Sequence, residues 1–190
     1  MFNIKTNIFG SKARKRNGFS LLESILSVFL VSMGLVVSIK LLTLGVSQSM
    51  KNRDQFAASL LAQEGVELVR NIRDNNWADN DPTTDSFNKI TTGTSCRIDY
   101  THISADLVDC SLVSSKQLYL NAGFYNHTAN GSATKYYREI IIQDNTTSKT
   151  VTSAVRWGSV AFPSIANMSS QCNTANSCAY TQITLNKWGE

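Results

Sequence analysis

A chain of 190 residues with 18 Lys and Arg against 14 Asp and Glu has a formal charge of +4, but that charge is unevenly placed. Lys5, Lys12, Arg14, Lys15 and Arg16 stand within the first 18 positions with no acid among them, so the rest carries 13 basic against 14 acidic residues, a net −1. Net charge therefore indicates no nucleic-acid footprint, and the length suits one soluble domain behind an apolar N-terminal stretch, with no second domain expected.

In chain order, the basic cluster Lys12, Arg14, Lys15 and Arg16 is followed by a predominantly apolar run, Phe19 to Ile39, whose only charge is Glu23. Basic residues ahead of such a run place the N-terminus in the cytoplasm. From Phe19 to Lys40 a helix rises about 31 Å, close to a hydrocarbon core of about 30 Å, so the segment spans a bilayer once. Lys40 falls near the far interface, where its stem stays in hydrocarbon while its ammonium reaches polar surroundings. Leu41 to Val46 continue the apolar surface. Lys-Ala-Arg-Lys-Arg also fits a nuclear or nucleic-acid patch, but its place against a span favours the topogenic reading. A secretory signal cut near Gly45 to Ser47 fits less well, because the apolar run exceeds about 15 residues and no Ala-x-Ala follows.

Glu23 is what a plain anchor leaves unexplained. A carboxylate near the start of a spanning helix costs a few kcal/mol unless something pairs it. Lys-Arg-Asn-Gly18 followed by Phe19-Ser-Leu-Leu-Glu23 resembles the leader junction of the type IV prepilin family, which includes the pseudopilins. The resemblance implies cleavage between Gly18 and Phe19 by a prepilin peptidase, a membrane aspartyl enzyme that also N-methylates the new Phe19 amine. The helix is then retained, and Glu23, the fifth mature residue, pairs with the Phe19 amine of a neighbouring subunit. It further implies an assembly machine and sister pilin subunits as partners, storage as a single-pass cytoplasmic-membrane precursor, and export into a cell-surface fimbrium.

The organisation expected is a leader over 1–18, a membrane or filament-core helix over 19–46, and an amphipathic half-helix with a β-rich head over 47–190. The fold class is α+β, the long helix packed on an antiparallel, pilin-like sheet. Phe56, Leu60, Leu68 and Ile72, widened by Ala57, Leu61 and Val69, form an apolar stripe at helical period. The stripe carries the helix to about Arg73, with Glu64 and Gly65 interrupting it. Asn, Asp and Pro82 end it, and Trp77 is expected under the head. A short strand follows around Phe87 to Ile90. Strands are predicted over Cys96 to Ile103, Gln117 to Tyr125, Tyr136 to Gln143, Thr150 to Trp157 and Tyr180 to Trp188, with loops at 126–134 and from Pro163 to Cys178. The alternation in Thr150 to Trp157 predicts a hairpin with one buried face.

Cys96, Cys110, Cys172 and Cys178 all lie beyond the span, on the side an oxidising compartment reaches. Three pairings are possible and spacing alone does not choose among them; nearest neighbours, Cys96 with Cys110 and Cys172 with Cys178, are the expectation. No Cys-x-x-Cys occurs, and His102 and His127 sit in no ligand-like repeat, so neither metal nor cofactor is expected and both histidines are assigned to surface or loop. The Asn-x-Ser/Thr triplets at Asn126, Asn130, Asn145 and Asn167 fit chance in a Ser-, Thr- and Asn-rich chain.

No Gly-x-Ser-x-Gly, phosphate-binding glycine loop or His-Glu-x-x-His appears, and Asp106 and Asp109 read as loop acids, so an enzyme is not expected. Many major pilins carry a helix-bending proline where this chain has Lys40, and the polar-interrupted core helix suits an occasional subunit, so a minor pilin is the leading reading. A pseudopilin of a type II secretion or DNA-uptake apparatus, or a membrane-anchored adhesin, are the alternatives.

Overall fold

The computed structural model describes residues 20–78, 87, 90–102, 110, 116–158 and 161–187. The chain divides into two compact units between Ser47 and Gln48. Helix α1, Leu21–Ala78, contributes to both. In the first unit the described residues are helical from Leu21 onward, although Val28, Val31, Val36, Val37 and Ile39 are β-branched. Branching lowers helix propensity in water, but in hydrocarbon the backbone must bond internally and helix is the one-segment solution.

The second unit sets Gln48–Ala78 of α1 against an antiparallel sheet made of β1 (Gly93–Cys96), β2 (Gln117–Asn121), β3 (Phe124–Asn126), β4 (Ser132–Asp144), β5 (Ser148–Trp157) and β6 (Cys178–Asn186). The order is β3-β2-β4-β5-β6, with β1 also paired to β4. Strand β4 organises the sheet: Tyr136 to Asp144 pair with Trp157 to Lys149 of β5 along one edge. Its other edge is shared between β2, where Gln117 faces Tyr137, and β1, where Cys96 faces Ile140. The fold class is thus α+β, a long N-terminal helix with a C-terminal antiparallel sheet.

The buried face of α1 keeps Leu61, Leu68, Val69 and Ile72 of the stripe read in the sequence and departs from it at the N-terminal end. Phe56 and Leu60 are exposed, whereas Ala58, Leu61, Ala62, Gly65, Val66, Val69 and Ile72 are buried. Val66, Val69 and Ile72 pack in one core cluster with Ile98, Ile140, Ile142, Val151 and Leu185. Ala58, Leu61 and Ala62 pack with Leu118, Val155 and Ala179. Gly65 lies in the middle of this face, because a Cβ there would meet Ser153 Oγ at 2.5 Å and Ile140 Cδ1 at 2.9 Å. The glycine that interrupts the pattern on paper is a point where helix and sheet approach too closely for a Cβ.

Other departures have local causes. Helix α1 runs to Ala78, past Arg73, because the Arg73 guanidinium bridges to Asp74 at 2.6 Å and Asn75 bonds Asn71 at 2.9 Å, completing another turn. Trp77 is 58% exposed, where burial under the head was expected. Phe87 lies in a turn, and the Ile90 amide donates to its carbonyl at 3.0 Å. The strand expected from Cys96 ends there, and Tyr100–His102 form a single 3-10 turn. Asp99 imposes this, its carboxylate accepting from the Thr101 amide at 3.0 Å. Gln117 to Tyr125 is a hairpin in place of one strand: Ala122 and Gly123 adopt φ of 50° and 89°, the left-handed pair that a two-residue turn requires.

The second face of the sheet is also covered, so the expectation of one buried face is corrected. Thr152, Ala154 and Arg156, which alternate with Val151, Ser153 and Val155, are all buried. Between β5 and β6 the chain forms a strap containing helix α2 (Met168–Gln171) and two short 3-10 turns. Met168, Cys172 and Cys178 form a cluster there with Ile141 and Ala154, and Phe162 and Ile165 pack on it.

Candidate functional site

The first unit presents an apolar surface with nothing covering it among the described residues. Its large apolar side chains, from Leu21 to Val46, are between 53% and 81% exposed. The best 18-residue window of α1 has a mean hydropathy of 2.4, long and apolar enough to cross a membrane. Apolar residues lie on all sides of this stretch, the pattern of a helix surrounded by lipid or by other helices.

Four of its hydroxyls bond within the helix. Ser27 donates to the Glu23 carbonyl at 2.7 Å, Ser32 to Phe29 at 2.9 Å, Ser38 to Gly34 at 2.8 Å and Thr43 to Ile39 at 2.9 Å. Each donor is satisfied within the helix and asks for no water. Small residues also gather on one side: Ser20, Ser24, Ser27, Gly34, Ser38 and Gly45 follow at intervals of four, three, seven, four and seven. At about 3.6 residues per turn these positions overlie one another, and small residues let helix backbones approach closely in an apolar medium. The apolar count used to find the span hides this face, because it treats Ser and Gly as gaps.

Among residues 20–47 the charges are Glu23, in the first turn of α1, and Lys40. They are separated along the axis by about 26 Å at 1.5 Å per residue. The remaining leader and processing residues, Lys12, Arg14, Lys15, Arg16, Gly18 and Phe19, lie outside the described residues, as do Asp106 and Asp109.

In the head the cysteines join as Cys96–Cys110 and Cys172–Cys178, separated in sequence by 14 and 6 residues. The first bridge ties residue 110 beside β1; the second closes the strap onto the start of β6. No group of three His, Cys, Asp or Glu able to hold a metal occurs among the described residues.

Sequence reasoning missed a polar node at the helix–sheet junction. Arg138 of β4 is fully buried, donating through Nη2 to the Ile98 carbonyl at 2.6 Å and through Nη1 to the Leu61 carbonyl at 3.2 Å. Glu64 Oε1 approaches its Nη1 at 3.5 Å, so Glu64 faces the arginine from the rim of the buried face. Burial lowers the guanidinium pKa, and the Glu64 carboxylate opposes that shift. Nearby, His127 lies in the loop after β3, within the loop expected there, but is buried and not at the surface. Burial above all, then the positive charge of Arg138, pull its pKa down to about 4, against the opposing charge of Asp99. Asp99 Oδ2 accepts from the His127 amide at 2.9 Å. The available signal was Arg138 at the centre of the strongest strand pattern, two residues ahead of an Ile triplet.

No family model, curated protein or solved structure matches the chain.

Proposed function

We propose that this protein is a minor subunit of a type IV pilus-like filament, cleaved after Gly18, methylated at Phe19 and packed through its N-terminal helix. The observation carrying this reading is the exposed apolar stretch Leu21–Val46, whose four back-bonded hydroxyls are self-sufficient and whose first turn holds one carboxylate, Glu23. A lone acid in such a helix is tolerated when a cation meets it inside the apolar medium, since each charge lowers the other's desolvation cost. Cleavage at Gly18 creates that cation, and a sister chain brings it. The small-residue face supports close packing of helices, and the disulfides suit a head on the oxidising side of the membrane. The protein works by position in an assembly, without catalysis or a cofactor.

Two measurements test this. Mass analysis of the mature protein should find an N-terminal methylated Phe19; a retained Met1 or a cut near residue 45 overturns the reading. Glu23→Ala should leave processing intact while the subunit disappears from sheared filaments. Incorporation at the wild-type level would remove the role assigned to Glu23.

A further inference from the structure

The strap leaves one part of the sheet's second face open, as a cavity of about 440 Å³. Ala161, Phe162, Pro163 and Ile165 of the strap and Ile141 of β4 form its apolar wall, and Lys116, Glu139 and Ser164 are its polar lining. Lys116 Nζ stands 2.5 Å from Glu139 Oε1, with the two side chains 28% and 6% exposed. The ammonium also lies 5.1 Å from the centroid of Phe162, so cation and ring share a wall.

A charge pair drawn out of water is costly, and its mutual attraction recovers only part of the lost hydration. An ammonium has three donors and a carboxylate about four acceptor positions. One contact between them therefore leaves each able to take a second charged partner. The volume falls within the range of small-molecule sites, about 300 to 1,000 Å³, which combine an apolar lining with a few polar groups. The complement of this cavity has an anion and a cation close together and an apolar body beside them.

We propose that the cavity binds a free apolar α-amino acid, with its carboxylate on Lys116, its ammonium on Glu139 and its side chain against Phe162, Pro163 and Ile165. Lys116 and Glu139 read the zwitterion, while the apolar wall selects the side chain. The site belongs to the head and is independent of the assembly reading.

Isothermal titration of the full chain in detergent micelles tests it, using L-leucine, L-phenylalanine, N-acetyl-L-leucine and L-leucinamide. Leucine and phenylalanine should saturate one site per chain, and removing either ligand charge should weaken binding at least tenfold. Lys116→Met should abolish the heat. Because Glu139→Gln risks the fold, Ala161→Trp serves as the second variant, filling the cavity from a lining position and leaving the ion pair in place; it too should abolish binding. Absence of saturable heat with the free amino acids overturns the proposal. So does equal binding of the acetylated or amidated ligand, or undiminished binding by Ala161→Trp.

Discussion

Gly65→Ala separates this packing from that of an ordinary helix. At an open site in a helix interior the change stabilises by about 1 kcal/mol, because alanine restricts the unfolded backbone and favours helix. Here the new Cβ would lie 2.5 Å from Ser153 Oγ, 2.9 Å from Ile140 Cδ1 and 3.1 Å from Arg138 Cδ. Overpacking of this kind costs about 1–3 kcal/mol, so a net loss of about 1 kcal/mol is expected. Ser153 is buried and its Oγ lacks a hydrogen-bond partner. Ser153→Ala alone should therefore stabilise by about 1 kcal/mol. It also removes the nearest atom, leaving the end of Ile140 as the closest neighbour, so the double variant should exceed the sum of the singles by about 1–2 kcal/mol. Urea unfolding of the full chain in micelles, followed by tryptophan fluorescence, measures all four proteins. If Gly65→Ala alone raises stability by about 1 kcal/mol, or if the two changes add without coupling, the close approach of helix and sheet at this point is refuted.

Three further perturbations probe the same head. His127 is held neutral when folded, with its pKa lowered from 6.5 to about 4; the unfolded chain therefore binds the proton first as pH falls. The histidine's contribution is full above about pH 6.5 and lost progressively down to about pH 4, a change of about 3 kcal/mol at 1.36 kcal/mol per pH unit. His127→Phe should flatten that part of the stability profile, and an unchanged profile would refute the assignment. Arg138→Met, which leaves the Ile98 and Leu61 carbonyls without their donor, should destabilise by about 1–3 kcal/mol. Arg138→Lys should recover little, since a compact ammonium does not match the spacing that lets Nη1 and Nη2 reach two separate carbonyls; full recovery in the urea assay would refute the two-carbonyl role. From loop length, replacing Cys96 and Cys110 by serine should cost about 3 kcal/mol and replacing Cys172 and Cys178 about 2. The reverse order in the same assay would refute the loop-entropy account.

Segments governed by periodicity were legible in the sequence; those governed by one side chain or one backbone angle were not. The apolar run, the hairpin of β4 and β5, and the α+β class follow from apolar periods of 3.6 and 2. The break after Cys96 depends on Asp99 capturing the Thr101 amide, and the β2–β3 turn depends on Ala122 taking a left-handed φ that its residue type disfavours. The strap escaped because its residues lack period, and its cover for Ala154 and Ile141 comes from Met168 and the Cys172–Cys178 pair. The stripe on α1 was legible at Leu61, Leu68, Val69 and Ile72, but its N-terminal end was not, because apolar size was counted where closeness mattered: Phe56 and Leu60 are exposed, and the small Ala58, Ala62 and Gly65 are buried. The same bias hid the small residues of the first unit.

Serine is used differently in the two units. In the head, Ser153 is buried against a glycine with its oxygen unpartnered. In Leu21–Val46, Ser27, Ser32, Ser38 and Thr43 each turn back on a carbonyl of their own helix, a bond that is compatible with an apolar medium. In the membrane-anchored reading proposed above, the long stem of Lys40 would bring its charge to an interface without a protein partner. Glu23 has a shorter stem, and neither a back-bond nor a longer reach answers its charge. Within this stretch, the carboxylate is the one acid, and its charge makes a partner from outside the chain more valuable to it than to a hydroxyl. That is why the assembly reading turns on Glu23, while the surrounding apolar positions should tolerate exchange among Leu, Ile, Val and Met.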